Sequence, residues 1–219
     1  MNFNIAIDGP AGAGKSTVAK IIADKLNMVY VDTGAMYRAI TYLSIKEGKT
    51  AIEEIINLAK NADIKLHGRT IFINNEDVSL SIRSQEINNN VSKIAKIPEI
   101  RVVMTEIQRK IAKNKGVVMD GRDIGTHVLP DAEYKFYLTA SLIERATRRY
   151  FELLNYESNV SLEQIEMEIA QRDRQDEERA FSPLKIAKDA VIIDTTNKTI
   201  MEVVKELLDY VKRGEGFAL

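Results

Sequence analysis

No cysteine occurs anywhere in the 219 residues, which excludes disulfides and thiolate metal sites. Histidine is nearly absent. His67 and His127 are the two present, too few for a histidine-based metal centre, and each reads as a surface or loop residue. Formal net charge is −1, so no global field gathers nucleic acid or a membrane surface; any positive site must come from local clustering. No apolar run approaches a membrane span, and the N-terminus lacks a basic region followed by an apolar one. Linkers rich in Pro, Gly or Ser, low-complexity tracts and internal repeats are missing as well. These absences point to a cytoplasmic protein with no nucleic-acid or membrane partner. No long exposed apolar stripe calls for a second copy, so a monomer is expected.

What is present starts with Gly9-Pro10-Ala11-Gly12-Ala13-Gly14-Lys15-Ser16-Thr17, which meets the full phosphate-loop pattern G-x-x-x-x-G-K-[ST]. Its setting suits the chemistry. Residues 3–7 form a short apolar run that reads as a buried parallel strand. Val18, Ala19, Ile22, Ala23 and Leu26 then recur at helical spacing. Glycines let consecutive backbone N–H groups curl around phosphate oxygens, and the positive end of the helix dipole points at the same anion. Lys15 is expected to reach the β/γ-phosphates, with the Ser16 hydroxyl completing a Mg²⁺ shell. A nucleoside triphosphate is the expected ligand.

Four further apolar runs, at 28–31, 117–119, 134–138 and 190–193, read as core strands separated by helical patterns. That is an α/β fold with a five-stranded, mostly parallel sheet and right-handed crossovers. Helices are expected after Pro98 (Ile100, Val103, Met104, Ile107, Ile111), from the capping box Ser141-Leu-Ile-Glu144, and over Ile200–Val211 before fraying at Gly214-Glu215-Gly216. Two stretches lie outside the sheet. Between the second and third strands sit roughly eighty residues, more than one crossover needs. They include a hairpin pattern, Ile64–Leu66 and Thr70–Ile73, followed by an Asn74-Asn75 turn. Residues 150–185 are dense in charge of both signs.

Strand ends of an open parallel sheet face the ligand crevice, so Asp32 and Thr33 should face the phosphates, with Arg38 able to clamp a second phosphate group. Standing alone, Arg38 would more often be a surface residue. Asp120 is placed to support Mg²⁺ through water, in the run Asp120-Gly121-Arg122-Asp123-Ile124-Gly125; the other reading of this cluster is a capping and salt-bridge network. Arg172 and Arg179 are seven apart with Asp176 between them, on one helical face, unless this is an ordinary solvated helix. Arg145 and Arg149 are one turn apart. Six arginines thus fall plausibly near the phosphate loop, matching the dispersed positive charge that phosphoryl transfer demands. These residues leave open a kinase for another small molecule and a nucleotide switch that only hydrolyses slowly. The arginine surplus argues for an anionic acceptor, and neither a guanine-reading motif nor a partner-facing loop is found.

The phosphate loop, Asp32-Thr-Gly-Ala-Met-Tyr-Arg38, Gln85-Glu86, Asp120–Gly125, and Arg172-Asp…Asp176…Arg179-Ala together resemble the bacterial cytidylate kinases, P-loop nucleoside monophosphate kinases, over nearly the whole chain. Glu76-Asp77-Val78-Ser79 resembles part of the insert of that type; Asn75 stands where the family often has glycine. The resemblance implies transfer of the ATP γ-phosphoryl to CMP or dCMP, giving ADP and CDP or dCDP in pyrimidine metabolism. It implies one domain over 1–219: a core of 1–33, 115–149 and 186–219, a monophosphate-binding lobe at 34–114, and a lid at 150–185. Residues 9–17, Arg145 and Arg149 would bind ATP. Thr33, Arg38, Ser92, Arg101, Arg122, Asp123, Arg172, Asp176 and Arg179 would surround the monophosphate. Within that set Ser92, Arg101 and Asp123 would read the base and Asp176 the sugar hydroxyls. Lys15, Arg122, Arg172 and Arg179 would carry the catalysis. The metal would sit at Ser16, with Asp32 or Asp120 acting through water.

Overall fold

The computed structural model describes residues 1–67, 70–154 and 161–214. β1 (Ile5–Asp8) is buried along its whole length because it is the middle strand of a five-stranded sheet. With β2 (Val29–Asp32), β6 (Val117–Asp120), β7 (Tyr134–Thr139) and β8 (Val191–Asp194) the order is β2-β6-β1-β7-β8, and every pairing is parallel. All five expected strands are present, displaced by a residue or two. Four of them end in aspartate on the same edge: Asp8, Asp32, Asp120 and Asp194. Apolar interiors with a polar last residue are what a sheet covered on both faces and open at one edge requires.

α1 (Lys15–Leu26) and α8 (Ile200–Gly214) cover one face. There Ile5, Ile7, Val18, Ile22, Phe136, Val204 and Leu207 form a single apolar cluster. On the other face lie α2 (Thr33–Lys46) and α5 (Pro98–Ala112), the latter starting with proline at its first turn as expected. α5 buries Ile100 and Met104, but also Arg101, Thr105 and Gln108. Its inner face is therefore partly polar, which the apolar pattern alone did not foretell.

Between β2 and β6 the chain adds α3 (Ile52–Asn61), the antiparallel strands β3 (Ile64–His67), β4 (Thr70–Ile73) and β5 (Glu76–Asp77), a 3₁₀ turn at Ser81–Arg83, and α4 (Gln85–Ile94). Asn74 (φ 51°) and Asn75 (φ 65°) are both left-handed, the conformation a two-residue hairpin turn needs. This insert does not own a separate core. Ile64, Ile71, Ile73 and Val78 pack in the same cluster as Ala6, Val31 and Met119 of the main sheet.

α6 (Leu142–Leu154) and α7 (Leu162–Glu178) pack on each other and, among the described residues, bury a small cluster, Ala146, Ile165 and Ile169, with Ala11 of the phosphate loop. α6 runs through residue 150 without a break. Half of the expected capping box forms. Ser141 Oγ accepts from Glu144 N–H at 3.3 Å, while the Glu144 carboxylate turns to Arg148 at 3.1 Å. His67 closes β3, but its surroundings and residues 215 and 216 of the expected frayed end lie outside what is described. No helix among the described residues is long and apolar enough to cross a membrane.

Candidate active site

The phosphate loop links the end of β1 to α1, and two of its glycines cannot be replaced. Gly9 has φ +147°, and a Cβ there would lie 2.0 Å from the Leu138 carbonyl oxygen. Gly12 (φ +76°) backs directly onto Arg145, whose Cβ would be 3.0 Å away. The loop is thus squeezed between β7 and α6. Inside it Lys15 is buried, its Nζ donating to the Pro10 carbonyl at 2.6 Å. Burial pushes the Lys15 ammonium well below the ordinary lysine range, and the Arg122 charge adds to this, while Asp120 opposes it.

Asp120, at the end of β6, accepts from the Ser16 hydroxyl at 2.8 Å and from the Tyr30 hydroxyl at 2.9 Å. Burial first, then the Asp32 charge, raise its carboxyl to about 6. Asp32 is otherwise engaged. One oxygen caps α2 by accepting from Ala35 N–H at 2.8 Å, and the other pairs with Arg38 at 3.1 Å. Among the described residues no set of three or more acidic or histidine side chains is grouped to hold a metal. The hydroxyl–carboxylate pair Ser16–Asp120 nonetheless fits Mg²⁺, a hard cation that keeps several of its waters and takes oxygen donors.

Arg122 and Arg179 gather around Asp176, and Arg122 and Arg172 bear on the Lys15 charge. Arg122 Nε donates to Asp176 at 2.9 Å, and Arg179 lies 3.4 Å from Asp176 and 3.5 Å from Asp123. Burial alone would lower Arg122, but Asp176 more than offsets it and holds the guanidinium above its usual range. Asp176 is likewise resisted by burial, and Arg122, Arg172 and Arg179 keep its carboxyl low. Arg172 keeps an exposed surface, yet protein atoms enclose it from several sides and Arg122 repels it, which brings it to about 10. Exposure inside an enclosing wall describes a cleft. Arg179 is not on the α7 face with Arg172, as seven-residue spacing suggested. It stands just past the helix end in extended conformation, and its Nε donates to the Ser182 carbonyl at 2.5 Å.

Arg101 is 2% exposed and donates to Asp123 at 2.5 Å and to the Ala95 carbonyl at 3.1 Å. The Tyr37 ring packs 5.4 Å from its guanidinium carbon. Arg38 Nε, Arg101 Nε and Arg179 NH2 are buried without a hydrogen-bond partner. Buried charged donors left unpaired are costly unless something else satisfies them. Thr33 Oγ1 donates to the Asp120 carbonyl at 2.7 Å, which ties the ends of β2 and β6 together. Ser92 sits partly buried on α4.

The two arginines of α6 part company. Arg145 is buried and donates to the Ala11 carbonyl at 3.0 Å, to the Ala140 carbonyl at 3.0 Å and to Asp173. Arg149 pairs instead with Glu152 at 3.0 Å on the exposed side. Arg148, not singled out by the sequence, occupies the loop side, where it donates to Thr195 Oγ1 at 3.0 Å; that hydroxyl reaches the Ala13 carbonyl at 3.4 Å. Asp8 was also missed. Its buried carboxylate accepts from Ile124 N–H at 2.8 Å and Gly125 N–H at 2.7 Å, bracing the phosphate-loop strand against the Asp120–Gly125 loop. Burial lifts it to about 7 against those two bonds. The signal for Asp8 was its place at a strand end, the same signal that singled out Asp32 and Asp120. A cavity of about 460 Å³ opens at the opposite edge of the sheet, between Asn4, Arg109, Lys115 and Pro130, away from all of this.

The family model for cytidylate kinase matches residues 5–213. A cytidylate kinase of Clostridioides difficile (strain 630) is 52% identical over 209 residues, spanning 94% of this chain and 97% of that one. One from Alkaliphilus metalliredigens (strain QYMF) is 53% identical over 206 residues, spanning 93% and 94%. Among solved structures, an uncharacterized protein from Eubacterium ventriosum is similar with a TM-score of 0.55 at 15% identity, covering 97% of this chain and 99% of that one. Shikimate kinase from Bacteroides thetaiotaomicron is similar with a TM-score of 0.51 at 14% identity, covering 96% and 98%; both likenesses concern the fold.

Proposed function

The chain belongs to the cytidylate kinase family, and from that premise we propose that it transfers the γ-phosphoryl of ATP to CMP or dCMP, releasing ADP and CDP or dCDP. The observation that carries the reading is the arginine set Arg38, Arg122, Arg172 and Arg179: Arg122 and Arg172 bear on the Lys15 charge, and Arg38 Nε and Arg179 NH2 are buried without a hydrogen-bond partner. An anionic acceptor supplies what those donors lack. Its phosphate, with a second pKa of about 6, is already largely ionised near neutrality, so no general base is required. Lys15 and the loop amides bind the donor's β/γ oxygens. Arg122 and Arg172 spread charge over the transferring group and Arg38 holds the acceptor phosphate. Asp123 accepts from the cytosine amino group while Arg101 fixes that carboxylate, with Ser92 beside them and Asp176 at the sugar hydroxyls. Closure of α7 over the cleft excludes water that would otherwise hydrolyse ATP. The molecule works alone, without nucleic acid or membrane, in the cytoplasm. ADP release measured against a panel of monophosphates tests the reading. Release must depend on CMP or dCMP, and acceptor-independent hydrolysis would sink it.

Ser16 and Asp120 would hold the Mg²⁺ that accompanies ATP, because Asp120 is already joined to the Ser16 hydroxyl whereas Asp32 is paired with the Arg38 cation. When bound there, the ion would neutralise charge on the phosphates. Ionised, Asp120 would accept hydrogen bonds from water on the metal; protonated, it would not. With its carboxyl at about 6, Mg·ADP affinity should hold above that pH and fall as pH drops through it. The expected slope is about tenfold per pH unit below the transition. Calorimetric titration between pH 5 and 8 checks this. Asp120→Asn should bind weakly throughout and flatten the profile. An equally steep profile in the variant would free Asp120 of the role.

The cleft position of Arg172 carries its own expectation. Arg172→Ala should lower kcat roughly tenfold while Mg·ADP affinity stays within about twofold, because its charge is used when both substrates are bound. Equal losses in both would place Arg172 at the resting donor site.

A further inference from the structure

On α7, Arg172 and Asp176 face the acceptor side, and Asp173 points elsewhere. It is 8% exposed. One carboxylate oxygen accepts from the Ala11 N–H at 3.0 Å, and the other receives the Arg145 guanidinium. The same Arg145 nitrogen donates to the Ala11 carbonyl at 3.0 Å. The residue Ala11 is therefore gripped at its N–H by the lid helix and at its C=O by α6. Arg145 cannot swing away, because its Nε is tied to the Ala140 carbonyl and its Cβ lies against Gly12.

A buried ion pair of this kind is poor evidence for stability, since well-packed apolar side chains of similar volume often do as well. Ala146, Ile165 and Ile169 already supply an apolar contact at this place. What the pair adds is register: it sets where the phosphate loop lies relative to α7. Arg172 and Asp173 are consecutive, so a movement of α7 that brings Arg172 toward the acceptor carries Asp173 with it.

We propose that Asp173 is a positioning residue that couples the two substrate sites, shaping the phosphate loop for the donor when the acceptor draws α7 down. The proposal rests on the CMP kinase reading. By linkage, CMP must then tighten the donor nucleotide, and the donor must tighten CMP equally. ADP with CMP is a non-reacting pair, having no γ-phosphoryl to move, so the coupling is measurable at equilibrium. Titrating Mg·ADP calorimetrically, alone and with saturating CMP, should show about five- to tenfold tighter binding with CMP in the unaltered protein. Asp173→Asn keeps the side-chain shape and loses the charge that holds Arg145. In it CMP alone should bind as before, and the enhancement should shrink below about twofold.

A merely structural role would lower the melting temperature or both affinities, without erasing the ratio. An unchanged ratio in Asp173→Asn overturns the proposal, as does an unaltered protein that binds both ligands without coupling. If Asp173→Asn melts too early to titrate, Arg145→Lys decides. It keeps the charge but cannot bridge the carboxylate and the Ala11 carbonyl together, so retained coupling there also overturns the proposal. Failure of the unaltered protein to bind CMP would instead refute the acceptor reading on which all of this rests.

Discussion

Lys15→Met should lower kcat by about 10²- to 10³-fold, the range seen when one preorganised donor is removed from a transition state. Methionine keeps most of the buried stem and loses the ammonium. The fold should tolerate this. Burial holds the Lys15 charge at a disadvantage, and although methionine forfeits the bond to the Pro10 carbonyl, it also removes the desolvation penalty of the buried ammonium. The ammonium is thus poorly satisfied until phosphates arrive, and its value appears in the transition state. Melting temperature should stay within a few degrees of the unaltered protein while turnover collapses. Single-turnover kinetics and thermal melting together check it. Near-normal turnover would remove Lys15, and with it the phosphate loop, from the chemistry.

Asp123 carries the second large effect, and its surroundings dictate which substitution is informative. Arg101 holds one carboxylate oxygen at 2.5 Å; Arg179 lies 3.5 Å from the other, too long for a hydrogen bond of ordinary strength. Both partners are almost wholly enclosed. Asp123→Ala would strand the Arg101 charge, a loss of about 3–5 kcal/mol in stability that obscures any reading of specificity. Asp123→Asn avoids much of this. Its amide oxygen faces Arg101 and its NH₂ takes the second position, where cytosine needs an acceptor and uracil could use a donor. CMP efficiency should fall by about 10- to 100-fold, UMP should lose less or gain, and the KM for ATP should barely move. Assaying both acceptors at saturating ATP gives the ratio. An unchanged CMP/UMP ratio would confine Asp123 to bracing Arg101 and Arg179.

Much of this was legible because the informative residues are contiguous. The phosphate loop, the Asp32 and Asp120 strand ends and the five apolar runs each announce themselves within a few residues. The β6 segment lands between β2 and β1, an order that no local pattern encodes. Positions whose meaning depends on packing stayed hidden. On α6, Arg148 and Arg149 are equivalent by spacing from Arg145, and the side on which α7 rests sends one toward Thr195 and the other to solvent. Asp173 was masked by a run of charges whose simplest pairing is within the helix, yet its partners are 162 and 28 residues away. Arg179 was placed on a helix that stops one residue short of it. The polar inner face of α5 escaped notice because Thr105 and Gln108 look like ordinary outward residues, and Arg101 was singled out by the family resemblance alone, not by the helix pattern.

The distribution of apolar contacts divides the molecule into parts of unequal cooperativity. The insert's hairpin strands and the main sheet bury their side chains in one continuous cluster, so neither can loosen without exposing the other's interior. They form one unfolding unit. α6 and α7 lean on the rest through a cluster of four buried residues, one of which is Ala11. Detaching them exposes little apolar surface, so the free energy of that sub-global opening lies far below that of full unfolding. A soft seam therefore runs beside the phosphate loop, and a nucleotide bound there should stiffen Ala11 and its neighbours and so help to close it.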